Sequence, residues 1–291
     1  MKKIKFPRVM LHTVFIILCV IFIIPMFIAV MISFSTESDI ITYGYSIIPR
    51  NFSLEAYKII IQDSASLLKA YGITILSATV SPFLSLIFNG TIAYSISRPE
   101  FKARKIVTIY ILITMLFGGG LIPSYILNTQ VYGLGNTIWV HLILGLVSGS
   151  NIILFRVSFS QIPKSLIESA DIDGANQAQI LLHIIIPMSK PIVSMIFFTG
   201  FIGGWNSYAT SMYYISDKNL YQLQYYLKNV ISNSEFIRQS FAEFGLKGGE
   251  DIPFQTLKFA ICVASSLPIL MMFPYIQKFF SKGIAAGSLK E

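Results

Sequence analysis

The sequence predicts an all-α integral membrane protein with six transmembrane helices. Three observations carry this. Of 291 residues, 54% are hydrophobic and only 12% are charged, whereas an ordinary soluble domain is roughly 25% charged. The mean hydropathy is +0.67, which places the chain among proteins solvated by lipid. Apolar runs of about 20 residues, the length that crosses a bilayer as a helix, recur along the chain.

The first run extends from Leu11 to Ser33. Its basic flank "MKKIKFPR" also fits a secretory signal. A signal core, however, is only about 7–15 apolar residues followed by a small-residue cleavage site. This run is longer and "AVMISFSTES" offers no such site, so it reads as an uncleaved span. The second run covers Tyr71 to Ile96, the third Ile106 to Leu127, the fourth Ile138 to Phe159, the fifth Pro191 to Tyr213 and the sixth Leu257 to Phe280. Pro25, Pro82, Pro123 and Pro268 fall inside them, with glycine clusters at Gly118–Gly120 and Gly203–Gly204. Such breaks occur in bundles that move and in bundles that merely pack closely.

The formal charge is +8, and the basic residues sit beside the spans, where they set orientation rather than bind nucleic acid. Lys2, Lys3, Lys5 and Arg8 precede the first span. Arg98, Lys102, Arg104 and Lys105 follow the second, and Lys278, Lys282 and Lys290 close the chain. The loop "NTQVYGLGN" has no Lys or Arg. Both termini and the second and fourth loops are therefore expected in the cytoplasm. The long loops Phe34–Ala70 and Tyr214–Thr256 are expected outside, as folded surface rather than linker.

Several chemistries are excluded. Cys19 and Cys262 lie far apart in apolar runs, and His12, His141 and His183 are scattered, so no metal or catalytic constellation is expected. No G-x-x-x-x-G-K-[ST] appears; "FGGG" lacks the lysine that would reach a phosphate. A membrane-embedded enzyme is thereby disfavoured.

The segment between the fourth and fifth spans is different. "IPKSLIESADIDGANQAQILLHIIIP" predicts a short helix, a turn at Gly174 and a second helix from about Ala175 to Ile186. Ser165 with Glu168 fits a capping box. Leu166, Ile167 and Ala170 would make one apolar face. Gly174 suits a left-handed C-terminus, and Pro187 ends or kinks the second helix. A helix resting on lipid would carry Lys or Arg on its polar face. Here that face carries Glu168, Asp171 and Asp173, which favours a protein partner with basic groups.

These residues resemble the EAA loop of permease subunits of bacterial binding-protein-dependent ABC importers. The family pattern is E-A-A, three residues, G, nine residues, I, one residue, L-P. Here it stands as Glu168-Ser169-Ala170, Gly174, then Ile184-Ile185-Ile186-Pro187. "FGGGLIPSYIL", "IIPMSKPI", "GGWNSY" and "KGIAAGSLKE" extend the likeness over nearly the whole chain, to the carbohydrate-uptake branch with its maltose-type second permease and LplC/YtcP-like subgroup.

The resemblance implies three regions: 1–70 as a first span and outward loop, 71–280 as the importer transmembrane domain with its EAA loop at 163–187, and 281–291 as a cytoplasmic tail. It implies an oligosaccharide as substrate and a bacterial cytoplasmic membrane as location. It also implies partners: a second homologous permease, two cytoplasmic ATPase subunits and an extracellular sugar-binding lipoprotein. No cofactor is expected in this chain, ATP and magnesium belonging to the ATPases. Glu168, Ser169, Ala170, Asp171, Gly174, Ile184 and Pro187 are expected at the ATPase contact, and Gly287 and Ser288 of the tail between the ATPases. Here the tail ends in Glu291 where many relatives end in glycine. A non-sugar solute, or a scaffold or sensor that transports nothing, are the alternatives.

Trp205, Asn206 and Tyr208 in "GGWNSYATSMYY" are candidates for the solute path, since aromatic faces and amides suit sugars. Composition alone fits equally the Trp/Tyr belt at membrane interfaces. The loop Tyr214–Thr256 places Leu220, Tyr221, Leu223, Tyr225, Tyr226 and Leu227 at helical spacings. A short helix is expected there, and the resemblance implies that it meets the receptor.

Overall fold

The computed structural model describes residues 6–62, 64–243 and 253–287. Among these every regular element is helical apart from one isolated bridge, Ser35 to Phe52. The chain forms two compact units, Met1–Leu67 with Tyr226–Pro268, and Leu68–Tyr225 with Ile269–Glu291.

In the first unit, α1 (Phe6–Ser33) is apolar on all sides. Every residue from Met10 to Phe27 is exposed, and mean hydropathy over its best stretch reaches 3.3. A helix of this kind is stable only where lipid covers it. Its end is anchored: Ser33 shares a hydrogen bond of 2.8 Å with the Tyr57 hydroxyl, and Phe34 stacks on Phe52 and Tyr57. Next come α2 (Glu37–Tyr43) and α3 (Glu55–Gln62). Asp39 accepts hydrogen bonds from the Asn51 backbone and side chain, and Arg50 lies 4.0 Å over the Tyr43 ring. Residues 34–62 are thus folded surface, as expected.

The same unit holds the start of α15 (Phe254–Gly287). Its N-terminal N–H groups meet a carboxylate from α2. Buried Glu37 accepts from Gln255 N at 2.8 Å, Thr256 N at 3.0 Å and Thr256 Oγ1 at 3.1 Å. An anion there satisfies donors the helix leaves open and matches its dipole.

The second unit is built on α4, which begins at Ser64 and runs to Ser97 through Pro82. At about 1.5 Å per residue it is roughly 51 Å long, more than the about 30 Å of bilayer hydrocarbon. The expected third span is not one helix. It divides into α5 (Arg104–Leu116) and α6 (Leu121–Ile126, continuing as a wider turn to Val131), bent by 113°. Gly118–Gly120 make the break, with Gly120 at φ +82, which only glycine adopts freely. The expected fourth span is also interrupted, between α7 (Trp139–Ile143) and α8 (Gly149–Ser160). Gly145 turns the chain at φ +76. Asn89, fully buried on α4, donates to the Leu146 carbonyl at 3.0 Å and accepts from Ser148 N at 2.9 Å. Hydropathy read an unbroken run because apolar residues flank the turn, while the groups that satisfy its backbone come from 57 residues away.

After α9 to α11, described below, α12 (Lys190–Trp205) and α13 (Ala209–Tyr214) take the place of the fifth span, divided at Asn206–Tyr208. Gly200 and Gly204 of α12 face α4. A Cβ at Gly204 would lie 2.9 Å from Ala78 Cα, and one at Gly200 2.9 Å from Pro82 Cβ. Gly118–Gly120 therefore form a bend between helices, whereas Gly204 is a close-packing site.

A short turn at Lys218–Leu220 leads to α14 (Leu223–Glu243), a 21-residue helix in the second long loop. Its first donors are held by side chains: Gln222 N by Ser211 Oγ at 3.0 Å and Leu223 N by Thr74 Oγ1 at 2.7 Å. Leu223 and Leu227 are buried and Tyr221 packs edge-on against Tyr225, so the expected helix is present and longer than expected. Among the described residues three helices are long and apolar enough to cross a membrane alone, and five if each bent pair counts as one. Among the described residues the third, fourth and fifth expected spans are each interrupted.

Candidate coupling site and interior cavity

The acidic segment folds as two short helices around a left-handed turn. α9 (Lys164–Ile172) starts behind Pro163, which caps it without a side-chain bond. The capping box expected from Ser165 and Glu168 does not form, because the N-cap is Pro163, two residues earlier, and Ser165 lies inside the helix. The C-terminus follows expectation. Gly174 has φ +81, Ala175 N donates to the Ala170 carbonyl at 3.0 Å, and Gly174 N donates to the Asp171 carbonyl at 3.1 Å. This paired arrangement closes the helix with a left-handed residue, a conformation glycine adopts without strain.

The second helix is capped where the sequence reading saw no cap. Asn176 Oδ1 accepts from Gln179 N at 2.9 Å, and Gln179 Oε1 accepts from Asn176 N at 2.8 Å. The signal was present as N-x-x-Q, three residues apart. α10 (Gln177–Ile180) widens through Leu181–Ile185 and continues as α11 (Ile186–Met188). Pro187 does not end it. Proline falls in the first turn of α11, where its missing N–H is harmless, and the 84° bend comes at Ser189.

Two faces result. Ile167, Ala170, Ile180 and Ile185 are buried in a core with Ile96, Phe155 and Phe159, and Ile184 packs half-buried against it. Glu168, Ser169, Asp171, Asp173, Gly174 and Pro187 are exposed. Leu166 does not join the inner face; it is 41% exposed, and Ile172 is 86% exposed. Ile172 is not part of the expected apolar face; it stands beside the acids on the outer face.

Asp171 reaches inward through its side chain. It accepts from Gln177 Nε2 at 3.2 Å, and Gln177 Oε1 accepts from the Tyr94 hydroxyl at 2.6 Å. The Arg98 guanidinium covers the Tyr94 ring at 5.5 Å and pairs with Glu100 at 3.8 Å. The acidic turn is thereby tied to the end of α4, beside a groove of about 700 Å³.

The path candidates are not grouped. Trp205 is 1% exposed, stacked on Phe201 at 6.0 Å and tilted against Tyr71 at 6.4 Å. It is interior packing of this chain. The Asn206 amide donates to the Ile202 carbonyl, and Tyr208 is 45% exposed. Nearby lies a cavity of about 260 Å³ that includes Ser77, Ser81 and Ser85 of α4, His141, Asn151 and Gln222. Its serines at i, i+4, i+8 went unread, being weak signals inside an apolar run. Gly287 closes α15, so the tail is helical as far as that residue; Ser288 lies outside the described residues. No group of His, Cys, Asp or Glu fit for a metal occurs among the described residues.

The family described as "Binding-protein-dependent transport system inner membrane component" matches residues 70–286. The polygalacturonan/rhamnogalacturonan transport system permease protein YtcP of Bacillus subtilis is 32% identical, over 95% of this chain and 94% of that protein. Protein LplC of the same organism is 30% identical, over 92% and 89%. A chain from the crystal structure of a bacterial ABC transporter involved in the import of the acidic polysaccharide alginate superposes with a TM-score of 0.79. It is 28% identical and is covered to 98%, with 96% of this chain.

Proposed function

The chain belongs to the family of binding-protein-dependent transport system inner membrane components, a permease subunit of an ABC importer, and on that premise we propose that it forms half of the translocation pathway for an oligosaccharide. The observation that carries this reading is the two-helix segment Lys164–Met188, with its inner face in the core and its acids outside. A loop that only crossed between spans would need neither a glycine-locked turn nor a link to α4. The substrate class rests on relatives named for sugars and polysaccharides. ATP and magnesium are bound by partner ATPases, not by this chain. Its partners are those ATPases, a second permease and an extracellular receptor, with lipid around α1.

One end carries Lys2, Lys3, Lys5 and Arg8 and the other Lys278, Lys282 and Lys290, which supports a cytoplasmic position for both in a bacterial cell and hence an even number of crossings. Six satisfies this when α7–α8 counts as a crossing interrupted at Gly145. The mechanism follows from the geometry. A cleft in the ATPase grips Glu168, Ser169 and Ile172. Closure of the ATPase pair displaces α9, and the Asp171–Gln177–Tyr94 chain passes the displacement to α4. Gly118–Gly120 and Ser189 are the points where helices change angle.

The test is purification of the tagged chain from its native membrane. A second permease and an ATPase should co-purify, with ATP hydrolysis stimulated by sugar-loaded receptor. Glu168→Lys should release the ATPase and keep the permease pair. Recovery of the chain alone, or retention of the ATPase by this variant, overturns the respective part.

A further inference from the structure

The cavity of about 260 Å³ beside α4 and α12 holds two acceptors with nothing to accept from. Ser77 Oγ donates to the Thr74 carbonyl at 3.2 Å, so it takes a hydrogen from Gln222 Nε2 at 3.0 Å. That fixes the amide, and Gln222 Oε1 is left without a partner. His141 Nε2 lies 3.0 Å from the Leu220 carbonyl and donates to it, which leaves Nδ1 of the neutral ring as an acceptor, also without a partner. His141 is 6% and Gln222 2% exposed, and both line the cavity. Buried unpaired acceptors are destabilising in a finished fold and call for a donor from outside the chain, a water or a ligand.

The rest of the wall narrows the choice. It carries hydroxyls and an amide at Ser77, Ser81, Ser85 and Asn151 but no Lys, Arg, Asp or Glu. Such a wall offers nothing to neutralise a carboxylate or an ammonium, and burying a charge without a partner is costly. The volume is just under the about 300 Å³ at which small-molecule sites begin, enough for one ring and not for a chain. Ser81 sits midway along α4.

We infer that this cavity is a subsite for one neutral sugar ring, whose hydroxyls donate to His141 Nδ1 and Gln222 Oε1; this rests on the permease reading. The alginate importer and the polygalacturonan permease are named for acidic polymers. In this chain the ring held here is an uncharged one.

Gly203 gives a clean test. It lines the cavity, and a Cβ on it meets nothing within 4 Å, so a side chain can be started there without an immediate clash. In the assembled importer, Gly203→Ala, Gly203→Val and Gly203→Leu should reduce sugar uptake in that order, to under a tenth for leucine. Receptor-stimulated ATP hydrolysis should persist in all three. Uptake that is indifferent to leucine means the cavity holds water only and overturns the inference. The permease reading would survive that result and would fall only if stimulation were absent in the parent protein. Gln222→Leu should raise the KM for uptake about tenfold, the weight of one hydrogen bond, at unchanged receptor affinity. An unchanged KM contradicts the role of Oε1. For the charge class, Ser81→Cys in a chain with Cys19 and Cys262 replaced by Ser is labelled with a hydrophilic thiol reagent. A mixture of neutral di- to tetrasaccharides, delivered by receptor, should protect it. Uronic acid oligomers of the same lengths should not, and equal protection by both overturns the neutral assignment.

Discussion

Gly174 shows how much one backbone angle decides. It stands at φ +81 with open space around its α-carbon, so a substitution is penalised by the angle and not by a clash. Gly174→Asn, which tolerates that region, should assemble with the ATPase nearly as the parent does. Gly174→Ala should weaken assembly slightly, and Gly174→Val should cost about 1–3 kcal/mol of local stability and release the ATPase in pull-down. Equal assembly of all three would show that the turn tolerates any residue. Tyr94 makes the second residue-scale case. Tyr94→Phe keeps the ring under Arg98 and removes only the hydroxyl bonded to Gln177. Basal ATP hydrolysis and assembly should be retained while sugar uptake per ATP falls several-fold. An unchanged ratio would exclude the Tyr94–Gln177–Asp171 chain as the transmitting link.

At the scale of elements, the α4–α12 contact depends on the absence of side chains. Gly204→Val sets a carbon against the Ala78 backbone, and overpacking of this kind destabilises by about 1–3 kcal/mol. The melting temperature of the purified protein in detergent should fall by several degrees, and a parent-like melt would mean the helices part without penalty. Asn89→Leu should be worse. It strips the half-buried Ser148 N–H and Leu146 carbonyl of their partner on α4, each costing at most about 1–3 kcal/mol, and should sharply lower recovery of folded protein. What was legible in the sequence follows the same division. Helix existence, the glycine turn and the acidic face were local patterns and were read correctly. The interruptions at Gly145 and Asn206–Tyr208 were not. A turn inside an apolar run is permitted by a distant group such as Asn89, and no window of 20 residues contains it. Trp205 was legible as an aromatic but not as a buried one, since burial is decided by α4.

For the whole molecule, the count of crossings sets which loops share a side. Single cysteines at Lys3, Gln161 and Asp217 test it with an impermeant thiol reagent on intact cells, again with Cys19 and Cys262 replaced. Asp217→Cys should label from outside, and Lys3→Cys and Gln161→Cys only after permeabilisation. Labelling of Gln161→Cys in intact cells would mean that α7–α8 does not cross. The expected orientation rests on the basic flanks, because the membrane potential and leaflet charge act on Lys and Arg near the spans. The solute cavity was not readable, because it is assembled from four separate parts of the chain.

The contact of Glu37 with Thr256 joins residues 219 positions apart, and this has a consequence for biosynthesis. At about 5–20 residues per second, the carboxylate of α2 waits roughly 10–45 s before the N–H groups that pair with it leave the ribosome. Closing so long a loop is slow and comes late in folding. Until then the first helix and its folded extension stand unfinished, open to quality-control proteases. Chains truncated before Thr256 never complete this unit, so premature termination should yield no partial protein in the membrane. Glu37→Leu should mimic that state in a full-length chain, and pulse-chase labelling should show rapid degradation that begins only after synthesis ends.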